Sequence, residues 1–182
     1  LAAGYSHSLA LEMDGTVAAW GYNDKGQLGL GDTEDRLSPT VVEGLSHNVV
    51  DIAAGFTHSI AVTLDGHVYQ WGNGSTKGPT RVVMDGLSGA VVVRVAAGDD
   101  HSLAVTSTGQ LLTWGNGDQG QLGHGQKQNE VVPRAVAGAG MVVGIAGGEV
   151  HSLMSREGGE VVDRVGDGLV VGAVSFFCRS FR

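Results

Sequence analysis

Gly4-Tyr-Ser-His7-Ser8 is the stretch that decides the fold, because the chain repeats it three more times. The later copies are Gly55-Phe-Thr-His58-Ser59, Gly98-Asp-Asp-His101-Ser102 and Gly148-Glu-Val-His151-Ser152. Successive histidines lie 51, 43 and 50 residues apart. In the first three copies a Trp-Gly pair follows the histidine after 13 residues, at Trp20, Trp71 and Trp114. A fixed inner spacing with a variable outer spacing indicates a rigid unit joined by adjustable loops.

Each full copy contains four short segments that favour β-strands. In the second copy they are 49–54, 58–64, 67–71 and 80–83, rich in Val, Ile, Thr and aromatic residues. Gly66 ends the second segment, and Gly15 and Gly109 lie at the same offset from their histidines. A glycine there can take the positive φ of a two-residue hairpin turn. The pattern predicts an all-β chain of about thirteen strands, a partial β-propeller built from short four-stranded antiparallel blades.

The copies occupy residues near 1–46, 47–89 and 90–139, followed by a degenerate copy at 140–160. In this last copy Arg164 stands where the spacing predicts a tryptophan, and residues 161–182 form a divergent tail without the repeat pattern. The loops 21–31 and 115–125 align position by position, whereas the second copy lacks their Gln-Leu-Gly segment. We therefore expect a trimmed loop on the second blade.

The pattern Ala-Ala-Gly-x-x-His-Ser, Asp-Gly, Trp-Gly-x-Asn-x-x-Gly-Gln-Leu-Gly at residues 2–31 resembles the repeats of the regulator of chromosome condensation family. The resemblance extends to about residue 160. It implies a seven-bladed β-propeller in which each blade mixes strands from adjacent repeats. A full ring needs roughly 350 residues at about 50 per blade, so this chain holds about three and a half repeats of the expected seven. We expect open sheet edges at residues 1–12 and 141–155, and self-association through them.

The repeated residues predict structure and no reaction centre. Equivalent histidines of different blades lie around a ring, so we expect each to bind turn backbone within its own blade, and each motif tryptophan to be buried within its blade. His47, His67 and His124 do not repeat and are interpreted as surface or loop residues. We predict no catalytic, cofactor-binding or metal-binding residues, no cofactor and no enzymatic activity.

One further glycine pattern invites a cofactor hypothesis. Gly115, Gly117 and Gly120 spell Gly-x-Gly-x-x-Gly, which binds a dinucleotide only where it opens a helix. The following Gln-Leu-Gly-His-Gly is a poor helix start, so these are interpreted as turn glycines.

Charge and composition restrict the partners. The net charge of −8 argues against a broad phosphate-binding surface, so we expect no direct binding of nucleic acid and a basic protein partner instead. The acidic clusters Asp99-Asp100 and Asp32, Glu34, Asp35 are interpreted as solvated loops or as contacts for such a partner. Cys178 is the single cysteine, which excludes an internal disulfide. The most apolar stretch, 169–178, is half the roughly 20 residues that a membrane helix needs, so we expect no membrane association and an intracellular location, cytoplasm or nucleus.

The function most consistent with these features is a non-catalytic protein–protein interaction scaffold that presents propeller loops to a partner protein. The resemblance leaves two alternatives. One is guanine-nucleotide exchange on a Ran-like small GTPase. The other is a substrate-recruiting part of a larger ubiquitin ligase or signalling protein.

Overall fold

A computed structural model describes residues 1–45, 48–84, 86–87, 89–159, 161–165 and 168–172, with backbone alone at 163–165 and 168–172. Every regular element in these residues is a β-strand. Sixteen strands form four separate four-stranded antiparallel sheets, and in each sheet neighbouring strands follow one another in the chain. The predicted all-β architecture with four-stranded blades is confirmed.

The strands of each blade are as follows. The first blade contains β1 (Ala2–Ala3), β2 (His7–Leu11), β3 (Val17–Gly21) and β4 (Arg36–Val41). The second contains β5 (Val49–Ala54), β6 (His58–Thr63), β7 (Val68–Gly72) and β8 (Thr76–Arg81). The third contains β9 (Val92–Ala97), β10 (His101–Thr106), β11 (Leu111–Gly115) and β12 (Glu130–Ala135). The fourth contains β13 (Val142–Gly147), β14 (Ser152–Arg156), β15 (Val161–Val165) and β16 (Gly168–Gly172).

The repeat motif takes the same place in every blade, because the register of the second and third strands is conserved along the chain. The opposed residues are Ser8 and Trp20, Ser59 and Trp71, Ser102 and Trp114, and Ser152 and Arg164. The hairpin glycines Gly15, Gly66 and Gly109 have φ of 82°, 82° and 78°, as their offset from the histidine predicts.

The apolar core lies between blades. Three clusters of buried side chains each join two consecutive sheets: the first contains Leu9 and Trp71, the second Ile60 and Leu112, the third Leu103 and Met154. Strands β6 and β10 of the inner blades are buried at all six positions, whereas β2 and β14 of the outer blades are only partly buried. Each blade therefore buries a face only against its neighbours, as repeat architectures do.

The tail departs from the sequence interpretation. Residues 161–165 and 168–172 form β15 and β16 and complete the fourth sheet, so the strand count of about thirteen is too low. The strands pair although Trp is absent at position 164, because main-chain hydrogen bonding does not require the motif side chains. Residues 173–182, including Cys178, lie outside the described residues.

In the regions where open sheet edges are expected, β1 and β13 are outermost strands of their sheets, but the expectation is wrong for the strands that carry the motif. β2 pairs with β1 and β3, and β14 pairs with β13 and β15, so both are central strands. Consecutive blades pack face to face, so the first and the fourth blade each have one sheet face that no neighbouring blade covers.

Candidate functional site

The repeat histidine links neighbouring blades. The Nε2 atom of His7 in the first blade lies 2.8 Å from the hydroxyl of Ser59 in the second. That hydroxyl donates to the carbonyl oxygen of Gln27 at 2.8 Å, and the indole N–H of Trp71 donates to the same oxygen at 2.9 Å. All four groups are buried. The carbonyl of the loop after β3 thus holds the serine and the tryptophan of the next blade.

The network determines the protonation of the histidine. Since the Ser59 hydroxyl donates its hydrogen bond to the Gln27 carbonyl, the serine oxygen accepts the hydrogen bond from His7, so the Nε2 atom of His7 carries a hydrogen. The buried Nδ1 atoms of His7, His58 and His101 have no hydrogen-bond partner in the described structure. Burial lowers the pKa of each of these three imidazoles to about 4. They are therefore neutral at physiological pH.

The third interface repeats the first. His101 Nε2 lies 2.9 Å from the hydroxyl of Ser152, which donates to the carbonyl of Gln121 at 2.7 Å. The expectation that each histidine side chain binds turn backbone within its own blade is wrong. Its hydrogen-bond partner is a serine hydroxyl of the next blade. The turn is closed by the main chain instead, for example by the Gly55 N–H donating to the His58 carbonyl.

The middle interface differs because the second blade lacks the Gln-Leu-Gly loop. His58 Nε2 lies 3.2 Å from the hydroxyl of Ser102. The indole N–H of Trp114 donates to the side-chain oxygen of Gln70 at 2.6 Å. The Asp51 carboxylate accepts the Val95 N–H at 3.0 Å. Side chains here replace the loop carbonyl.

The tryptophans differ in burial. Trp71 and Trp114 are buried between blades, whereas Trp20 in the first blade is only half-buried. The expected burial within a single blade is wrong, since the preceding blade covers each of these two indoles, with the loop carbonyl of Gln27 at Trp71 and the Gln70 side chain at Trp114.

The first acidic loop is engaged in holding its own shape. Buried Asn23 donates to the Asp32 carboxylate at 3.1 Å, and its main-chain N–H donates to Asp35 at 2.8 Å. Arg36 donates to Asp32 at 2.6 Å. The Glu34 backbone N–H, followed by the Arg36 side chain, lowers the pKa of Asp32. These carboxylates stabilise the loop and are not simply solvated.

The remaining histidines and the wide groove lie apart from this network. His67 pairs with Asp65 at 2.9 Å, and His124 Nε2 lies 3.1 Å from Thr113 Oγ1. A groove of about 610 Å³ extends beside Asp65, His67 and Arg81 at the hairpin end of the second blade. His47 lies outside the described residues. Within the described part of the chain, no three His, Cys, Asp or Glu side chains form a group that could hold a metal.

The Gly115-x-Gly-x-x-Gly pattern forms part of the loop between β11 and β12. Gly115 and Gly120 have φ of 101° and 81°, and residues 115–125 contain no helix, as the sequence interpretation expects. Among the described residues no helix is long and apolar enough to cross a membrane.

The Gly-x-x-His turns form one continuous surface. The Tyr5 N–H donates to the Gly55 carbonyl at 3.2 Å, and the Phe56 N–H donates to the Asp99 carbonyl at 2.9 Å. The two residues between glycine and histidine in each copy thus lie side by side along one end of the blades. We call this surface the rim; its residues are Tyr5, Ser6, Phe56, Thr57, Asp99, Asp100, Glu149 and Val150.

One half of the rim is aromatic. The rings of Tyr5 and Phe56 lie 4.3 Å apart between centroids and are tilted by 31°. Together with Tyr22 they line a cleft of about 160 Å³, which we call the aromatic cleft. The exposed fractions are 74% for Tyr5, 47% for Tyr22 and 37% for Phe56. Aromatic rings left this open on a rigid scaffold are typical of recognition surfaces.

The other half of the rim is acidic. Asp99, Asp100 and Glu149, which we call the acidic half, follow Phe56 along the turns. The pKa of Asp99 is raised, first by partial burial and then by the negative charges of Glu149 and Asp100. None of the three makes an ion pair within the described residues.

The rim was only partly visible in the sequence. The sequence marks Asp99-Asp100 as a solvated loop or a contact for a basic partner, but it gives no indication of the aromatic cleft. The available signal was the pair of variable positions between two invariant motif residues in each copy, because positions that vary on a fixed frame do not carry the packing.

Known families match this chain over most of the described blades. A family model for the regulator of chromosome condensation (RCC1) repeat matches residues 14–62 and 108–155, and a second model of the same repeat matches 49–78 and 92–121. The 14–62 match runs from β3 and β4 of the first blade into β5 and β6 of the second. A family repeat therefore takes strands from two adjacent blades, as the resemblance implies.

Individual relatives are similar along nearly the whole chain. The Arabidopsis thaliana ultraviolet-B receptor UVR8 is 36% identical over 175 residues, which are 88% of this chain and 39% of the receptor. The human E3 ubiquitin-protein ligase HERC2 is 38% identical over 177 residues, 88% of this chain and 4% of the ligase. Yeast RCC1 (Prp20), solved bound to Kap60, superposes with a TM-score of 0.78 at 26% identity, covering 91% of this chain and 43% of that one. This chain thus spans less than half the length of each of these proteins.

Proposed function

Because the chain belongs to the regulator of chromosome condensation repeat family, we propose that it acts as a protein-interaction scaffold whose rim and loops contact a partner protein. In this proposal the stacked blades supply rigidity and do no covalent chemistry. The similarity to a photoreceptor, a ligase and yeast RCC1 supports a regulatory or binding role in general.

The observation that carries the proposal is the exposed rim. Its main chain is held from turn to turn by hydrogen bonds, while the motif histidine, serine and tryptophan are occupied between blades. The rim side chains therefore take no part in the His–Ser–Trp contacts between blades. Exposed aromatic residues on such a preorganised surface are frequent energetic centres of protein interfaces.

A photo-crosslinking amino acid placed at the rim tests this proposal. Phe56 and Leu64 lie at opposite ends of β6, and Leu64 is 73% exposed, so it is the matched control. We expect the crosslinker at position 56, and not at position 64, to capture a purified partner such as Kap60 or a Ran-like GTPase. Equal capture from both positions, or none from either, would show that the rim is not the surface that contacts the partner.

Nucleotide exchange is the second candidate, favoured by the similarity to yeast RCC1. It is tested by the release of fluorescent GDP from a purified Ran-like GTPase in the presence of this chain. Binding without accelerated release supports the scaffold, and accelerated release supports exchange. The similarity to HERC2 favours substrate recruitment as the third candidate, in which other residues would supply the ligase chemistry.

We further propose that the isolated chain associates through the outer faces of its first and fourth blades. Half-buried Trp20 lacks the covering loop that Trp71 receives, and the partly buried β2 and β14 border these faces. Light scattering is expected to report a species well above the 18.7 kDa of one chain. A monodisperse monomer with a cooperative melt would contradict this proposal.

A further inference from the structure

We propose that the rim binds an arginine-bearing basic segment of the partner protein, with one guanidinium group seated in the aromatic cleft and adjacent basic residues facing the acidic half. This inference rests on the proposed function and specifies the chemistry of the partner at the same surface. It commits to one occupant, an extended protein segment.

The shape of the aromatic cleft suits a planar cation. Tyr5 and Phe56 stack on each other at 4.3 Å between centroids, so a ligand cannot enter between the two rings and contacts only the parts of them that line the cleft together with Tyr22, from the loop after β3. A guanidinium group is planar, is weakly hydrated and stacks on aromatic faces. An ammonium group also binds aromatic faces, but it is more strongly hydrated and loses more on leaving water. The cleft should therefore prefer arginine over lysine.

The charge around the aromatic cleft also favours a basic ligand. Asp24 and Lys25 line the cleft and pair with each other at 3.0 Å, so together they leave it without net charge. The neighbouring acidic half supplies three carboxylates that make no ion pair within the described residues. The hydrogen bond from Phe56 N–H to the Asp99 carbonyl places the two halves on adjacent turns. A segment with successive basic residues can thus contact both.

Other occupants fit the rim less well. The acidic half repels the phosphates of nucleic acid, and the chain carries a net charge of −8. A second copy of this chain would place acidic half against acidic half if the rims met in register. An acidic peptide meets the same repulsion.

Peptide binding measured by fluorescence polarisation tests the inference. The probe is a labelled synthetic peptide in which arginines alternate with glycine and serine, compared with its lysine twin and with a glutamate twin. We expect the arginine peptide to bind about two- to fivefold more tightly than the lysine peptide, in line with stacking at an exposed site. The glutamate peptide should not bind, and binding should weaken with salt.

Two variants separate the halves of the rim. Phe56→Leu keeps apolar volume but removes the ring, so it should abolish the preference for arginine while the salt dependence persists. Asp99→Asn combined with Glu149→Gln should weaken both basic peptides and flatten the salt dependence. Leu64→Ala and Glu157→Gln are matched controls at the opposite end of the blades and should change neither property. Thermal melts verify that each variant is folded.

The outcomes distinguish this inference from the proposed function. Equal affinity for arginine and lysine peptides, or a preference unaffected by Phe56→Leu, overturns the cleft assignment. Absence of binding by either basic peptide, or binding of the glutamate peptide, overturns the inference as a whole. If the crosslinker at position 56 still captures a partner protein in that case, the scaffold function stands and only its chemistry is wrong.

Discussion

The first and middle interfaces hold the same histidine and tryptophan by different means. Between the first two blades, one main-chain carbonyl, that of Gln27, binds both Ser59 and Trp71. Between the second and third blades that loop is missing, and the Gln70 side chain receives the indole of Trp114. A buried donor needs an acceptor wherever the backbone fails to provide one. The motif therefore specifies which hydrogen-bond donors are buried. Whether the loop is present determines whether a main-chain carbonyl or a side chain accepts their hydrogen bonds.

The third interface shows the complementary case. It keeps the loop carbonyl, that of Gln121, which accepts the Ser152 hydroxyl. The sequence, however, has Arg164 at the tryptophan position. An interface can thus lack the loop and keep the tryptophan, or lack the tryptophan and keep the loop. Each of the three interfaces has a different combination of these two features. This separation makes the three interfaces a natural set of comparisons.

Acidification is expected to have the largest effect, and at all three interfaces. The folded pKa of about 4 for His7, His58 and His101 lies below the 6.5 of the exposed group. The unfolded chain therefore binds protons in this window that the folded chain does not. Stability is complete above about pH 6.5 and falls as the pH drops towards 4. At about pH 5 the loss is on the order of 2 kcal/mol for each histidine.

Urea unfolding at neutral pH and at about pH 5 measures this loss. The variant His58→Gln removes one titrating group and should show a shallower dependence on pH than the parent. If the urea midpoint of the parent is the same at both pH values, the assignment of buried neutral histidines is wrong.

Removal of a buried indole comes next. Trp71→Ala should lower the free energy of unfolding by about 3–5 kcal/mol, because it leaves a cavity between two blades. Trp20→Ala is the matched control at the half-buried position and should cost clearly less. The denaturant midpoints of the two variants and the parent measure these losses. Equal losses for the two variants would show that the neighbouring loop contributes nothing to the burial of Trp71.

Serine substitutions sharpen the comparison between the first and middle interfaces. Ser59 links His7 to the Gln27 carbonyl, whereas Ser102 binds His58 at 3.2 Å and has no such carbonyl acceptor in the described structure. Ser59→Ala should therefore cost about 1–3 kcal/mol, and Ser102→Ala less. Chemical denaturation of both variants measures the difference. A larger loss of unfolding free energy for Ser102→Ala than for Ser59→Ala would show that the Gln27 carbonyl does not strengthen the first interface.

Restoring the tryptophan of the fourth blade should have the smallest effect, and a favourable one. A small void lined by Leu122, Gly123 and Met154 lies in the third interface, and position 164 is opposed to Ser152 as the other tryptophans are to their serines. Arg164→Trp should raise stability by about 0.5–2 kcal/mol, because we expect the indole to donate to the Gln121 carbonyl as that of Trp71 donates to the Gln27 carbonyl. Arg164→Leu controls for loss of the charge. If leucine stabilises as much as tryptophan, the indole has no dedicated place there.

Much of the blade was predictable because its determinants are local. The strands around His58 follow from short segments rich in Val, Ile, Thr and aromatic residues, and the hairpin turn follows from Gly66, which can take the positive φ that it has in the structure. The tail strand β15 was missed because its pairing with β14 uses main-chain groups that every residue carries. The aromatic cleft was missed because Tyr5 and Phe56 are 51 positions apart in the chain.

The amino-acid sequence by itself determined the repeat, the strand pattern, the hairpin turns and the family, since these depend on spacings within one copy. Only the tertiary structure decided that His7 binds Ser59 of the next blade, that Gln70 substitutes for a loop carbonyl, and that the arc ends in sheet faces. The physical reason is that a blade buries its polar motif only against a neighbour. Contacts between copies depend on the packing of whole sheets, which no spacing within a copy encodes.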